Sequence, residues 1–223
     1  MNFYETDISK RYKTKQEIAY DEIKELIIDC KMEPNMQIVI KSIAIHMNIS
    51  EIPIREALKR LISENFVVEN NSNLTVAPIT KEDFLDIIDL RLGLEKIAIK
   101  IAARKMNFQK IERLRDIITK MKSSFDHADL VTYDKLHMEF HLTICLMCEV
   151  APLNSALKET FEHHERYKRY YNLQSWDTYP SFDAHEKIFS ALKNKDVVNA
   201  EKYLLENRIK AADRYKNIVE SMM

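Results

Sequence analysis

SIAIHMNISEIPIREALKRL, residues Ser42 to Leu61, holds two helical segments separated by a turn of two residues. Counted at helical pitch from Ser50, Ile54, Ala57, Leu58 and Leu61 fall on one face, while Glu51, Ile52, Arg55 and Lys59 fall on the other. The first set is suited to packing and the second is left to touch something outside the fold. Ser50 is placed to cap the helix, and Pro53 lies in its first turn, where a missing N–H costs no helical bond. Upstream, Ser42 to Met47 turns Ile43, Ala44 and Met47 inward, and Asn48 with Ile49 is short enough to be the turn of a helix-turn-helix. A plain amphipathic helical hairpin has the same pattern, so the flanking sequence must separate the two.

Phe66 to Glu69 and Leu74 to Ala77 are short β-type runs on either side of Asn70, Asn71, Ser72 and Asn73, a hairpin pattern. The chain has a single glycine, so asparagine, which tolerates the left-handed backbone region, takes glycine's usual place in such turns. A helix-turn-helix followed by a hairpin is a winged DNA-reading module.

Segment Ile23 to Pro78 resembles the winged-helix domain of GntR-type bacterial transcription regulators. Their signature runs roughly as a G-x-x-x-P-G stop followed by L-A-x-x-L-x-V-S-R-x-P-V-R-E-A-L-x-x-L. Here the corresponding stretches are DCKMEPN at Asp29 to Asn35 and IAIHMNISEIPIREALKRL at Ile43 to Leu61, matching at Ser50, Pro53, Ile54, Arg55, Glu56, Ala57, Leu58 and Leu61. Glu51 stands where the family usually has arginine, Asn35 replaces the glycine after Pro34, and the wing lacks its usual glycines. The resemblance implies a double-stranded DNA operator as partner, contacted through Lys41, Ser42, Ser50, Glu51, Ile52, Arg55 and Lys59. The change at Glu51 implies an operator sequence different from the family's usual one.

DNA binding leans on phosphate neutralisation, yet the chain's formal net charge is −1, and residues 1–78 hold 10 Lys or Arg against 12 Asp or Glu. Local patches must therefore do the work: Lys10, Arg11, Lys13 and Lys15 form a basic arm or a solvated surface, and Lys41, Arg55, Lys59 and Arg60 bracket the second helix.

From Thr80 onward the chain changes to long helical stretches, which places a domain boundary near Ala77 to Thr80, between an N-terminal domain of residues 1–78 and a C-terminal one of residues 79–223. Thr80-x-x-Asp83 marks the restart. The apolar spacing predicts helices over Lys81–Lys105, Gln109–His127, Leu130–Cys148, Leu153–Ser175, Phe182–Lys193 and Val197–Ser221, an antiparallel all-α bundle. The fold class is thus mainly α. No apolar run approaches the ~20 residues of a membrane span, and Met1 to Lys15 is polar, so a cytoplasmic protein is expected. Cys30, Cys145 and Cys148 are an odd set, which argues against a disulfide framework; Cys145-x-x-Cys148 on a helix reads as small core residues before it reads as a redox or metal pair.

Two features of the bundle carry chemistry. Arg91 interrupts the apolar row Phe84, Ile87, Ile88, Leu94, Ala98, Ile101, so it must reach solvent or find an anion, either Glu95 one turn on or a ligand carboxylate. His137 and His141, spaced i, i+4 on one helix, have the arrangement by which two imidazoles share one metal ion. His185 is a third candidate and Asp134 lies one turn before His137, whereas the adjacent His163 and His164 diverge by about 100° and make poor co-ligands. Three histidines lining a metal-free polar pocket remain the alternative.

Thr80 to Ser221 resembles the all-helical FCD effector domain of the FadR-type branch of GntR regulators. The stretches that carry the likeness are LRLGLEKIAIKIAARK (Leu90 to Lys105), LHMEFHLTI (Leu136 to Ile144) and DAHEKIFSALKNKDVVNAEKYLLENR (Asp183 to Arg208). Metal-binding members present Asp-x-x-x-His and two later histidines. On this chain those positions are His137, His141, His185 and Asn207, two of four matching in kind. The resemblance implies a homodimer on an inverted-repeat operator and a small organic-acid effector facing Arg91 and Asn207. It also implies a divalent ion on His137, His141 and His185, zinc or nickel-like because imidazole suits borderline metals. A repressor is expected, with no catalytic residues. Two alternatives stand beside this reading: a metal-dependent helical-bundle enzyme using the three histidines, with Asp134 or Glu139 as base, and an interaction protein using the winged domain for protein contacts.

Overall fold

The computed structural model describes residues 13–71, 73–173 and 182–221. The chain divides into two compact units, residues 1–78 and 79–223. In the first, α1 (Lys15–Ile28), α2 (Ile40–Met47) and α3 (Glu51–Ser63) precede β1 (Val67–Asn70) and β2 (Asn73–Val76). The second is helical: α4 (Lys81–Arg104), α5 (Phe108–Asp126), α6 (Leu130–Leu146), α7 (Ala151–Tyr170), α8 (Phe182–Lys193) and α9 (Val197–Ser221). None of the described helices is long and apolar enough to cross a membrane.

In the first unit, Ile54, Ala57, Leu58 and Leu61 of α3 are buried against Ala19, Ile23 and Ile27 of α1 and Ala44 of α2. Burying such side chains contributes roughly 1.5–3 kcal/mol each for the larger ones, so this face fixes α3 and leaves the opposite stripe outward. Glu64, at the C-cap of α3, ties the helix to α1. It accepts from Lys24 Nζ at 2.8 Å, Tyr20 Oη at 2.6 Å and Arg60 Nε at 2.9 Å, and the Arg60 guanidinium lies 3.7 Å over the Tyr20 ring. Burial and the bond to Glu64 push the Tyr20 phenol up to about 12.

Ser50 occupies the N-cap position of α3, but its side chain makes no capping bond, contrary to expectation; its hydroxyl stays exposed at the helix start. Asparagines serve as the positive-φ residues. Asn48 closes α2 at φ 52°, Asn71 turns the hairpin at φ 49°, and Asn35, in the place of the family's glycine, has φ 67°. The strands pair antiparallel with Val67 opposite Val76, so Asn70 and Asn73 join the ladder and the turn is tighter than the four-residue loop expected. Residues 35–38 extend the wing through Ile38 N–H to Leu74 O at 2.8 Å and Val76 N–H to Met36 O at 2.9 Å.

In the second unit the predicted helices recur; half of their ends coincide with the prediction and the others, save the C-terminal end of the fourth, shift by one or two residues. Thr80 Oγ1 accepts from Asp83 N–H at 3.1 Å, as the capping pattern requires. The fourth predicted helix starts two residues early, with Pro152 in its first turn, and closes at Tyr171; its expected last residues, 174 and 175, lie outside the described residues. The main core gathers side chains from α4 to α9, including Ile99, Leu114, Phe140, Leu157, Ile188 and Leu204. Cys145 and Cys148 belong to it as free thiols; burial pushes the Cys145 thiol well up, and Cys148 Sγ donates to Asn154 Oδ1 at 3.1 Å.

The backbone at Asn48 sets the angle between α2 and α3, and a β-branched residue resists that conformation. Asn48→Val should lower the stability of the protein by about 1–2 kcal/mol and Asn48→Gly should leave it nearly unchanged, as read by urea unfolding followed by circular dichroism. Equal effects of the two would show that left-handed strain is not what selects asparagine there.

Candidate functional site

The outward stripe of α3 carries Glu51, Ile52, Arg55 and Lys59, with Lys41 and Ser42 exposed on α2. Ile52 is 73% exposed, so the stripe includes one apolar side chain open to contact. Both cations on the stripe have neighbours of opposite charge: Arg55 Nη2 donates to Glu51 Oε2 at 2.9 Å, and Lys59 Nζ to Glu56 Oε1 at 2.8 Å. Glu51 thus occupies the guanidinium that the stripe presents. Of the basic arm, Lys10 and Arg11 lie outside the described residues, and Lys13 pairs with Asp21 at 2.7 Å.

In the helical unit, His137 and His141 on α6 and His185 on α8 come together. They are buried, with one ring nitrogen of each lying within 4.8 Å of the others. His137 Nδ1 and both ring nitrogens of His141 are buried without a hydrogen-bond partner among the described residues. Leaving such an atom dry costs about 1–3 kcal/mol, and a bound group would recover that. Burial first, then the neighbouring His185, Arg208, Lys168 and Arg91, hold His137 well below the usual imidazole range. His141 is likewise lowered by burial and then by Arg208. Both rings are therefore neutral at neutral pH, the form that ligates a metal. Tetrahedral nitrogen ligands about 2.0–2.1 Å from a metal stand roughly 3.4 Å apart, so the rings must close slightly around an ion.

Arg91 does pair with Glu95, Nε to Oε1 at 2.5 Å, both wholly buried. Its guanidinium also lies over the Phe161 ring at 3.8 Å and sits 2.9 Å from His164 Nδ1 through Nη1, while Nη2 is buried without a hydrogen-bond partner among the described residues. Asn207 is half-buried; it is Arg208, the next residue, that turns inward, placing Nε 3.6 Å from the same Glu95 oxygen. Two buried guanidiniums thus share one carboxylate. Arg91, Arg208, His164 and Tyr215 line a void with room for about one water molecule. Asp134 is engaged by Lys168 at 3.3 Å, and Glu139 is exposed.

Sequence reasoning missed Arg208 and His164. The i, i+4 spacing pointed to a histidine pair on α6, but a basic residue in a charged stretch near the C-terminus gives no sign that it turns inward. A count from Leu204, buried and four residues earlier on α9, would have placed Arg208 on the packed face.

Comparison with known proteins matches both units. Residues 86–207 match the FCD domain family, and residues 15–73 match the gntR family of bacterial regulatory proteins. The HTH-type transcriptional regulator McbR of Escherichia coli is 26% identical over 114 residues, and the chain spans about half the length of that relative. The gluconate operon transcriptional repressor of Bacillus subtilis is 26% identical over 186 residues, covering 80% of this chain and 75% of the relative. The solved structure of E. coli McbR/YncC superposes with a TM-score of 0.75 at 20% identity, over 92% of this chain and 99% of that one. These relatives are transcription regulators rather than enzymes, which sets aside the helical-bundle hydrolase or lyase. The chain belongs to the GntR family of bacterial transcription regulators, in the branch that joins a winged helix-turn-helix to an FCD domain.

Proposed function

We propose that the protein is a homodimeric repressor that reads an inverted-repeat operator through α3 and is released or recruited by a carboxylate effector bound in the helical unit. The observation that carries the effector reading is the convergence of three buried imidazoles beside a guanidinium pair that one carboxylate does not neutralise. The name of the B. subtilis relative agrees with repression.

At the DNA, α3 enters the major groove by its N-terminal half, so Ser50, Glu51, Ile52 and Arg55 face bases or the nearest phosphates, and Lys59, Lys41 and Ser42 face the backbone. Arg55 can present two N–H groups to a guanine edge once it leaves Glu51, and Ile52 offers apolar contact to a thymine methyl. The pairing with Glu51 makes the unbound stripe less attractive to arbitrary phosphates, trading affinity for discrimination.

In the helical unit, His137, His141 and His185 hold a divalent ion of the zinc or nickel type, matched to neutral nitrogen donors. Such an ion supplies positive charge and open positions for an anionic oxygen. Arg91 Nη2 and Arg208 orient the effector carboxylate, with Asn207 at the margin, and Glu95 keeps the two guanidiniums from repelling one another apart. The void admits about a water, so a larger effector fits only as the helices around it part. Binding therefore favours one arrangement of the helical unit over another, the differential affinity that regulation requires.

Arg55→Ala should weaken operator binding by about 1–3 kcal/mol and relax base preference at one position of each half-site, while Lys59→Ala weakens all sequences alike and reduces the salt dependence. A duplex library titrated by fluorescence anisotropy separates them; unchanged preference in Arg55→Ala removes it from the reading set. For the helical unit, calorimetric titration of untagged protein with zinc should show one site per chain that His141→Ala abolishes. A titration without heat in the native protein, or full zinc affinity in the variant, leaves only a metal-free pocket.

A further inference from the structure

The chain's one glycine sits in the middle of α4, where helical propensity disfavours it by comparison with alanine. Nothing in the fold requires it: Gly93 is exposed, has no positive φ, and a Cβ built there meets no atom within 4 Å. The usual reason for a mid-helix glycine, close approach of another backbone, is therefore not met among the described residues.

The neighbours of Gly93 describe what approaches. Asp86, Leu90, Gly93, Ile97, Lys100 and Arg104 follow one another at intervals of four and three, the 3.5-residue repeat of a helix–helix seam. Leu90 is 52% exposed and Ile97 50%, so the centre of the seam shows two large apolar side chains to solvent. Beside the seam, Asp89 pairs with Lys216 at 3.0 Å and Lys96 reaches Glu201 at 3.9 Å; within it, the Lys100 ammonium turns to the same Glu201 at 3.4 Å. The charges that end the seam, Asp86 and Arg104, are exposed and make no ion pair among the described residues.

This seam complements itself when reversed. Placed antiparallel to a second α4, it sets Asp86 against Arg104 of the second copy, Gly93 against Ile97, and Leu90 against the aliphatic stem of Lys100, with each contact made twice by two-fold symmetry. A parallel pairing would put Asp86 on Asp86 and Arg104 on Arg104. We infer that this face of α4 is the site where two copies of the chain dimerise antiparallel, with Gly93 forming the hollow that receives Ile97. The inference rests on the dimeric reading proposed above and names its interface.

The test is sedimentation velocity of the full chain over a dilution series, with and without an operator duplex, on the native protein and on Asp86→Arg, Arg104→Asp and the two combined. Each single reversal should raise the dimer dissociation constant by about tenfold or more, because like charges then oppose one another twice. The double reversal should restore it to within about threefold of native, and helix content by circular dichroism should be unaltered in all three. A native dimer that neither single reversal weakens overturns the α4 interface while leaving dimerisation intact. A native chain that stays monomeric both free and on the operator overturns the dimeric reading itself. Loss in both singles without recovery in the double overturns the antiparallel register.

Discussion

A single buried carboxylate organises the helical unit. Glu95 is wholly inaccessible and receives Arg91 from its own helix and Arg208 from α9, and through Arg91 it reaches His164 and Phe161 on α7. Three helices thus converge on one negative charge, and α6 and α8 supply the histidines beside it. Removing one member of a buried ion pair strands the other and costs far more than the pair itself contributes, so the sequence is bound to keep all three or none. The arrangement is an expensive way to stabilise a bundle and a suitable way to hold an anion, since a neutral core would give an effector nothing to recognise.

The positive excess also bears on the proposed metal site. In family members that ligate with Asp-x-x-x-His, the carboxylate offsets part of the ion's charge; here His137 takes that position and offers none. Two guanidiniums nearby raise the electrostatic cost of a divalent ion further. On the reading proposed above, the compensating negative charge would come from the effector, which would tie metal retention to effector binding more closely than an Asp-containing site does. A comparable pairing appears on the outward stripe of α3, where Glu51 stands in the family's arginine position and accepts from Arg55.

Much of this was legible in the sequence because the signals are local. The 3.6-residue spacing of Ile54, Ala57, Leu58 and Leu61 dictates which side of α3 is buried, and asparagines at turn positions mark the left-handed residues in a chain nearly without glycine. The i, i+4 relation of His137 and His141 is likewise set by a single helix. What escaped depends on distance along the chain. Arg208 meets Glu95 across more than a hundred residues, and His164 meets Arg91 from another helix; no spacing rule encodes such meetings. Ser50 shows the converse, a correct cap position whose hydroxyl makes no capping bond.

The account stands or falls on what the three histidines hold. X-ray absorption at the zinc edge, on protein loaded with one equivalent of zinc, reads the donor atoms directly. The predicted spectrum has three imidazole nitrogens at about 2.0–2.1 Å, with additional oxygen scattering when a carboxylate effector is bound. Sulfur scattering at about 2.3 Å would place the ion on Cys145 and Cys148 instead, and zinc coordinated by oxygen alone would show only adventitious binding; either result contradicts the account.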